Sequence, residues 1–422
     1  MKLEYRKALA WFGFSTSVAF NTAVFLSATL TPSSLSGIAS SGILLLGLFS
    51  SLVCFIVLRE LWQELEDVSI LGLLALSSPL WALTGAVIFY LRLQTPDSDY
   101  LLAYQIMAAV LAAASASAAA LQTEASKIGR LTMSDPGSWR DYLMLTKPVV
   151  VLLLLVTTLS AMIIAAGSMP PASAMLLTAV GGAFSAGGAS ALNQYIDRER
   201  DGKMSRTQKR PIPGGRMKGP RAVAFGLLLC TAGFNILALG VNLLSAGMAL
   251  VGMIYYVFFY SIILKPTTAQ NIVVGGGAGA IPPLVGWAAA TNSLSMPAFF
   301  LFALIFFWTP PHFWALALLK NRDYERAGVP MFPVVYGERE TRIHILLYAI
   351  QLVALTLLLP LAALGRSVYL VSAVALGLGF LVHAWRLWKH GTNKLAYKMY
   401  RYSSTYLALI FAALVVDTLV AI

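Results

Sequence analysis

In the stretch NQYIDRERD, three side chains with oxygen donors recur every four residues: Asn193, Asp197 and Asp201. On a helix that spacing stands them along one face. The apolar run that carries them ends here, so the carboxylates meet the negative end of the helix macrodipole. Carboxylates there do not stabilise a helix, and a bound cation would change the balance. Two or three oxygen ligands, with room left for water and phosphate, suit Mg²⁺. Lys203, Arg206, Lys209 and Arg210 follow directly and could clamp a polyanion. The basic run alone would read as a solvated loop. Beside the acid ladder it reads as half of a metal–diphosphate site.

A second polar cluster lies in TPPHFWALALLKNRDYERAGVPMFPVV, residues 309–335. Asp323 is its acid, Lys320 and Arg322 add positive charge, and Tyr324 is a further diphosphate-binding candidate. Between the two clusters, LKPTTAQN offers Lys265, Gln270 and Asn271. The acid ladder of Asn193, Asp197 and Asp201 and the cluster around Asp323 could thus face one diphosphate between them. His312 stands in an apolar run next to Pro310 and Pro311. It either satisfies backbone groups that the prolines free or contacts a substrate. The glycine run GGGAGAIPP, residues 275–283, serves either close helix packing or a cavity for a flat substrate.

The elements that position these residues are membrane helices. Of 422 residues, 58% are hydrophobic and 11% charged, against about 25% charged in soluble domains. That excludes a string of soluble domains. The net charge of +12 fits basic cytoplasmic loops better than nucleic-acid binding. At about 20 apolar residues per crossing, about thirteen spans are expected. Four come early, near 8–30, 37–58, 70–93 and 101–121. Nine follow, near 149–167, 174–195, 221–240, 244–263, 272–290, 297–318, 343–363, 367–387 and 402–421. With the N-terminus cytoplasmic, the outer loops hold only Arg92 and Arg366, and the other 28 of the 30 Lys and Arg fall inside. Counting crossings on that basis puts Asp323 and the Lys265 loop on the same cytoplasmic side as Asp197 and Asp201.

The chain divides accordingly into 1–121, an N-terminal four-helix extension of unassigned role; 122–140, a cytoplasmic linker; and 141–422, the domain with the chemistry. The extension holds no histidine; all four (His312, His344, His383, His390) come late. Cys54 and Cys230 lie singly in apolar runs, with neither metal-ligand nor redox spacing.

The acid ladder with its basic RTQKRP sequel resembles the first motif of the UbiA-type intramembrane prenyltransferases. Three stretches, LKPTTAQNIVVGGGAGAIPPLVGWAA, WTPPHFWALAL and DYERAGVPMFPVV, resemble the haem O synthase (protohaem IX farnesyltransferase) branch, as does DYLMLTKPVVVLLL from Asp141. The resemblance covers roughly residues 138–422. It implies an all-α polytopic fold, a nine-helix UbiA-type bundle, here preceded by about four extra helices. It implies a Mg²⁺-dependent transfer of farnesyl from farnesyl diphosphate to a vinyl group of haem b, a substrate and not a cofactor, with addition of water to give haem O. Asn193, Asp197, Asp201 and Asp323 would hold Mg²⁺ and diphosphate, and Arg206, Lys209, Arg210 and Lys265 would neutralise the leaving group. The setting would be the cell membrane, with a haem A synthase or an oxidase assembly factor as a partner. In one respect the chain departs from many UbiA-type enzymes: four residues after Asp323 stands Ala327, not a second acid. Prenyl transfer to an aromatic or quinone precursor, a transporter and a haem chaperone are the competing readings.

Overall fold

The computed structural model describes residues 138–420. Among them nine helices are long and apolar enough to cross a membrane: α1 (Pro148–Ala166), α2 (Ala172–Ile196), α3 (Gly219–Gly240), α4 (Leu243–Thr267), α5 (Asn271–Thr291), α6 (Met296–Leu319), α7 (Phe332–Ala362), α8 (Ser367–His390) and α9 (Asn393–Val420). The chain is a multi-pass membrane protein. The expected early spans, Cys54 and most of the linker lie outside the described residues. The described residues fall into two units, one holding 139–215 and 232–420 and the other holding 216–231. Everything described below lies in the first.

Seven of the nine expected spans agree with the helices to within a few residues. The other two start earlier: α7 by eleven residues and α9 by nine. Hydropathy marks only the apolar middle of a helix, and the polar turns that precede it here, GERETR in α7 and NKLAYKMYRY in α9, are helical too. Gly337 takes a positive φ of 83° inside α7 and kinks it.

Small residues let these helices approach. Gly286 of α5 packs so tightly on α1 that a Cβ there would lie 1.9 Å from the Thr158 carbonyl oxygen. In the glycine run, Gly275, Gly276 and Gly277 face Tyr260, Thr309 and Tyr255, whereas a Cβ on Gly279 would meet nothing within 4 Å. The run therefore serves packing at three of its four glycines. The core lies among α6, α7, α8 and α9, around the fully buried Trp314, Tyr369, Phe380, Tyr406 and Phe411. Its polar groups are mutually satisfied: Tyr369 donates to the Thr356 carbonyl and the Thr356 and Tyr406 hydroxyls pair, both at 2.7 Å. Asp417 of α9 accepts from the backbone N–H groups of Arg366, Val368 and Tyr369, capping the start of α8 from a neighbouring helix.

Two irregular elements matter for the site. Within α4, Tyr255–Leu264 winds as a π-helix, a geometry often found at functional sites. Before α1, Lys147 takes a left-handed backbone conformation (φ 50°, ψ 63°) between a short helix, Trp139–Thr146, and Pro148.

Candidate functional site

The acid ladder runs through a helix junction. α2 ends at Ile196, yet the Asp197 N–H still reaches the Asn193 carbonyl (2.9 Å) and the Asp201 N–H the Asp197 carbonyl (2.8 Å). The short helix Arg198–Lys203 thus continues the register, and the three side chains keep one face. All three are buried, at 2%, 1% and 2% exposure. Buried carboxylates persist only when paired, and the partners come from elsewhere in the chain.

Asp197 Oδ2 accepts from Lys265 Nζ at 2.5 Å and from Asn193 Nδ2 at 2.8 Å. Its Oδ1 has the Arg200 guanidinium at 3.5 Å and no hydrogen bond. Asp201 Oδ2 accepts from Arg210 Nη1 at 2.6 Å. Asn193 is fixed on three sides: Nδ2 also donates to Ser261 Oγ (2.9 Å), and Oδ1 accepts from Lys147 Nζ (3.0 Å). Ser261 in turn donates to the Tyr256 carbonyl five residues back, a contact that the π winding makes natural. Lys147 Nζ also lies 3.4 Å from the Tyr256 hydroxyl. Burial of this ammonium, helped by the nearby charges of Arg210 and Lys265, brings its pKa down to about 7, although Asp197 and Asp201 pull the other way.

Asp323 joins the same loop system. Ser205 donates to its Oδ2 at 2.8 Å and Arg326 to its Oδ1 at 3.0 Å. The Ser205 hydrogen bond, before Arg326 and Lys320, holds this carboxyl below the usual carboxylate range. Next to it Arg206 reaches the Tyr324 hydroxyl at 3.5 Å and lies over that ring. The loop after α2 and the helix after α6 are therefore docked on each other. An open cleft of about 280 Å³, lined by Ile196, Glu199, Arg200, Lys203 and Ala327, lies along this junction. Lys209, Gln270 and Lys320 are exposed. Asn271 is wholly buried and donates to the carbonyls of Thr268 and Pro330, tying the start of α5 to the GVPM loop.

Among the described residues no three His, Cys, Asp or Glu side chains lie close enough to hold one metal ion. The carboxylates are ordered by cations of the chain itself. The donor set nevertheless fits a hard divalent ion that takes most of its shell from diphosphate and water: Asp197 and Asp201 supply oxygen only, and the buried Oδ1 of Asp197 lacks a hydrogen bond.

His312 is placed apart from this cluster. Its Nδ1 pairs with Ser403 Oγ of α9 at 2.7 Å, and its ring lies between Trp308 (4.2 Å) and Tyr400 (4.6 Å). The hydrogen bond of its ring goes to Ser403 and not to the Phe306 or Phe307 carbonyls that the prolines free. Sequence reasoning missed Lys147, Ser205 and Ser261. An isolated hydroxyl or lysine gives no pattern: the left-handed turn brings in Lys147, the π winding Ser261 and the loop after α2 Ser205.

The UbiA prenyltransferase family profile matches residues 154–411. A Chloroflexus aurantiacus protein named protoheme IX farnesyltransferase is 42% identical over 387 residues, covering 88% of this chain and 66% of that protein. Proteins of the same name from a Roseiflexus species and from Hahella chejuensis are 50% and 44% identical, over 68% and 66% of this chain and 53% and 93% of theirs. The chain thus spans about half to two thirds of the first two and nearly all of the third. Among solved structures, one described as giving insights into digeranylgeranylglyceryl phosphate synthase in membranes aligns with TM-score 0.57 at 18% identity, over 66% of this chain and 98% of that one. A UbiA homolog from Archaeoglobus fulgidus bound to GPP and Mg²⁺ aligns with TM-score 0.51 at 16% identity, over 65% and 99%.

Proposed function

This chain belongs to the UbiA prenyltransferase family, and from that premise we propose that it transfers a farnesyl group from farnesyl diphosphate to a vinyl group of haem b, with addition of water, giving haem O. The observation that carries the reaction class is the buried ladder Asn193–Asp197–Asp201 held against Lys147, Lys265 and Arg210. The choice of substrates rests on the relatives' names.

Departure of diphosphate from an allylic carbon leaves a carbocation and places new negative charge on the leaving oxygens. Preorganised cations around those oxygens stabilise that change. Lys265 and Arg210, which hold Asp197 and Asp201, could pass from the carboxylates to the diphosphate as it binds, and Arg206 beside Tyr324 could join them. Mg²⁺, when bound, would add Lewis-acid stabilisation of the same oxygens; Asp197 and Asp201 would hold it, with Asp323 across the loop. Lys147 holds the Asn193 amide so that its Nδ2 faces Asp197. The rings of Tyr256 and Tyr260, stacked at 5.7 Å, offer π faces that attract a cation.

His312 would contact haem b from the α6–α9 side. His312→Ala then weakens haem b binding and leaves farnesyl diphosphate affinity unchanged. Loss of stability with unaltered haem affinity would make the residue structural. The site loops and N-terminus are assigned to the cytoplasmic face of the cell membrane by the positive-inside bias, with an oxidase-assembly protein or haem A synthase receiving the product. Purified chain incubated with haem b, farnesyl diphosphate and Mg²⁺ should yield farnesylated haem by mass spectrometry. Prenylation of an aromatic acceptor with none of haem would overturn the assignment.

A further inference from the structure

At the acid ladder Arg200, Arg210 and Lys265 are paired with acids. At another corner, where α7, α8 and α9 meet on the same membrane side, a group of cations is not. From Thr341 to Val416 the sequence holds no Asp or Glu. Arg386 and Lys389 close α8, and Lys394, Lys398 and Arg401 open α9; all five are exposed, and none forms an ion pair among the described residues. Under them Arg342 of α7 packs against the turn: its Nη1 occupies the place where a side chain at Gly391 would begin, 1.5 Å from an ideal Cβ. Arg342 Nε is buried without an acceptor, and Glu338, one turn earlier and exposed, makes no ion pair with it.

Local stability does not account for this arrangement. Lys389 at the C-terminal end of α8 suits the helix dipole, but Lys394 stands in the first turn of α9, where a cation is unfavourable, with Lys398 one turn on. Like charges gathered at a positive helix end, above a guanidinium lacking an acceptor, are balanced by an anion. Its depth is marked by Trp385 and Trp388, exposed on the last two turns of α8 with ring centroids 4.8 Å apart. Exposed tryptophans of this kind sit at the headgroup level of a bilayer.

We propose that this corner binds the phosphodiester headgroup of an anionic glycerophospholipid. Arg342 and Lys394 hold the phosphate, Lys398 and Arg401 its flank, and Trp385 and Trp388 lie along the acyl–headgroup boundary. The site is separate from the acid ladder and does not depend on the reaction assigned to it. The test uses the full chain in a neutral detergent, with phosphatidylglycerol, phosphatidylcholine or inorganic phosphate added, read by native mass spectrometry and thermal stability. Phosphatidylglycerol is expected to stay bound and raise the melting temperature, and the other two to do neither. Lys394→Gln with Lys398→Gln, both exposed and so neutral to folding, should weaken retention about thirtyfold, at roughly fivefold per basic residue near an anionic surface. Equal retention of the two lipids, an equal shift from inorganic phosphate, or unchanged retention in the double variant would each overturn the proposal.

Discussion

Replacing Asp197 by Asn keeps the shape of the side chain and removes its charge. Asp197 is 1% exposed and Lys265, its closest partner, has a side chain only 15% exposed. The substitution leaves the Lys265 ammonium and the Arg200 guanidinium facing an amide. Stranding one member of a buried pair costs about 3–5 kcal/mol, and the lower end applies because both cations retain some access to water. Removing the second charge as well, in Asp197→Asn with Lys265→Met, should recover most of that loss, since a buried pair replaced by uncharged groups of similar volume is close to neutral. Transfer behaves differently. Both variants lack a carboxylate assigned to the metal and the double variant also lacks a cation for the diphosphate, so turnover should fall by at least about a hundredfold in each, on the order of one lost electrostatic stabiliser. Denaturant unfolding in detergent measures the first quantity and farnesylated haem by mass spectrometry the second. A double variant that regains stability and turnover together would show that Asp197 serves only to neutralise Lys265, and the catalytic reading would fail.

Gly286→Ala should destabilise the protein by more than about 2 kcal/mol, because its Cβ meets backbone and the helices must separate, whereas Gly279→Ala should be neutral or stabilising by roughly 0.5–1 kcal/mol; equal melting temperatures would refute the close α1–α5 contact. Lys147 has a folded pKa near 7, below its ordinary 10.5, so between those values the unfolded chain binds more protons and stability should rise with pH. Lys147→Met should flatten that rise in melting curves taken at pH 7 to 9, and an unchanged slope would count against the enclosed ammonium. Deleting residues 1–121 should leave a chain that still farnesylates haem, since the matched motifs lie later and the Hahella chejuensis relative aligns over 93% of its length with 279 residues here; a folded but inactive truncation would put the extension inside the reaction chamber.

The sequence showed the acid ladder because four-residue spacing is a helical signal that survives without coordinates. It also pointed to the convergence of three loops, because successive crossings alternate sides. It could not show that Asp197 is ordered by Lys265, sixty-eight residues away, or that Ser205 reaches Asp323 across 118. Those pairings depend on how the helices pack, and packing in a chain of small apolar residues leaves little periodic trace. His312 illustrates the limit: two partners were conceivable from its neighbours in sequence, and the one it has, Ser403, lies ninety-one residues on.

The π winding of Tyr255–Leu264 makes the position of Lys265 a matter of residue count. Its N–H bonds the Tyr260 carbonyl five residues back, so the segment carries more residues per turn than an α-helix. Taking one residue out of this segment would let it relax toward i→i+4 bonding and absorb the loss, so that Lys265 keeps its side of the helix. A residue lost from the α-helical part of α4 would instead turn everything after it by about 100° about the helix axis. Lys265 would then point away from Asp197, although every functional side chain would still be present and the span would still be long enough to cross. Single-residue deletions through the π segment should therefore behave unlike deletions elsewhere in α4.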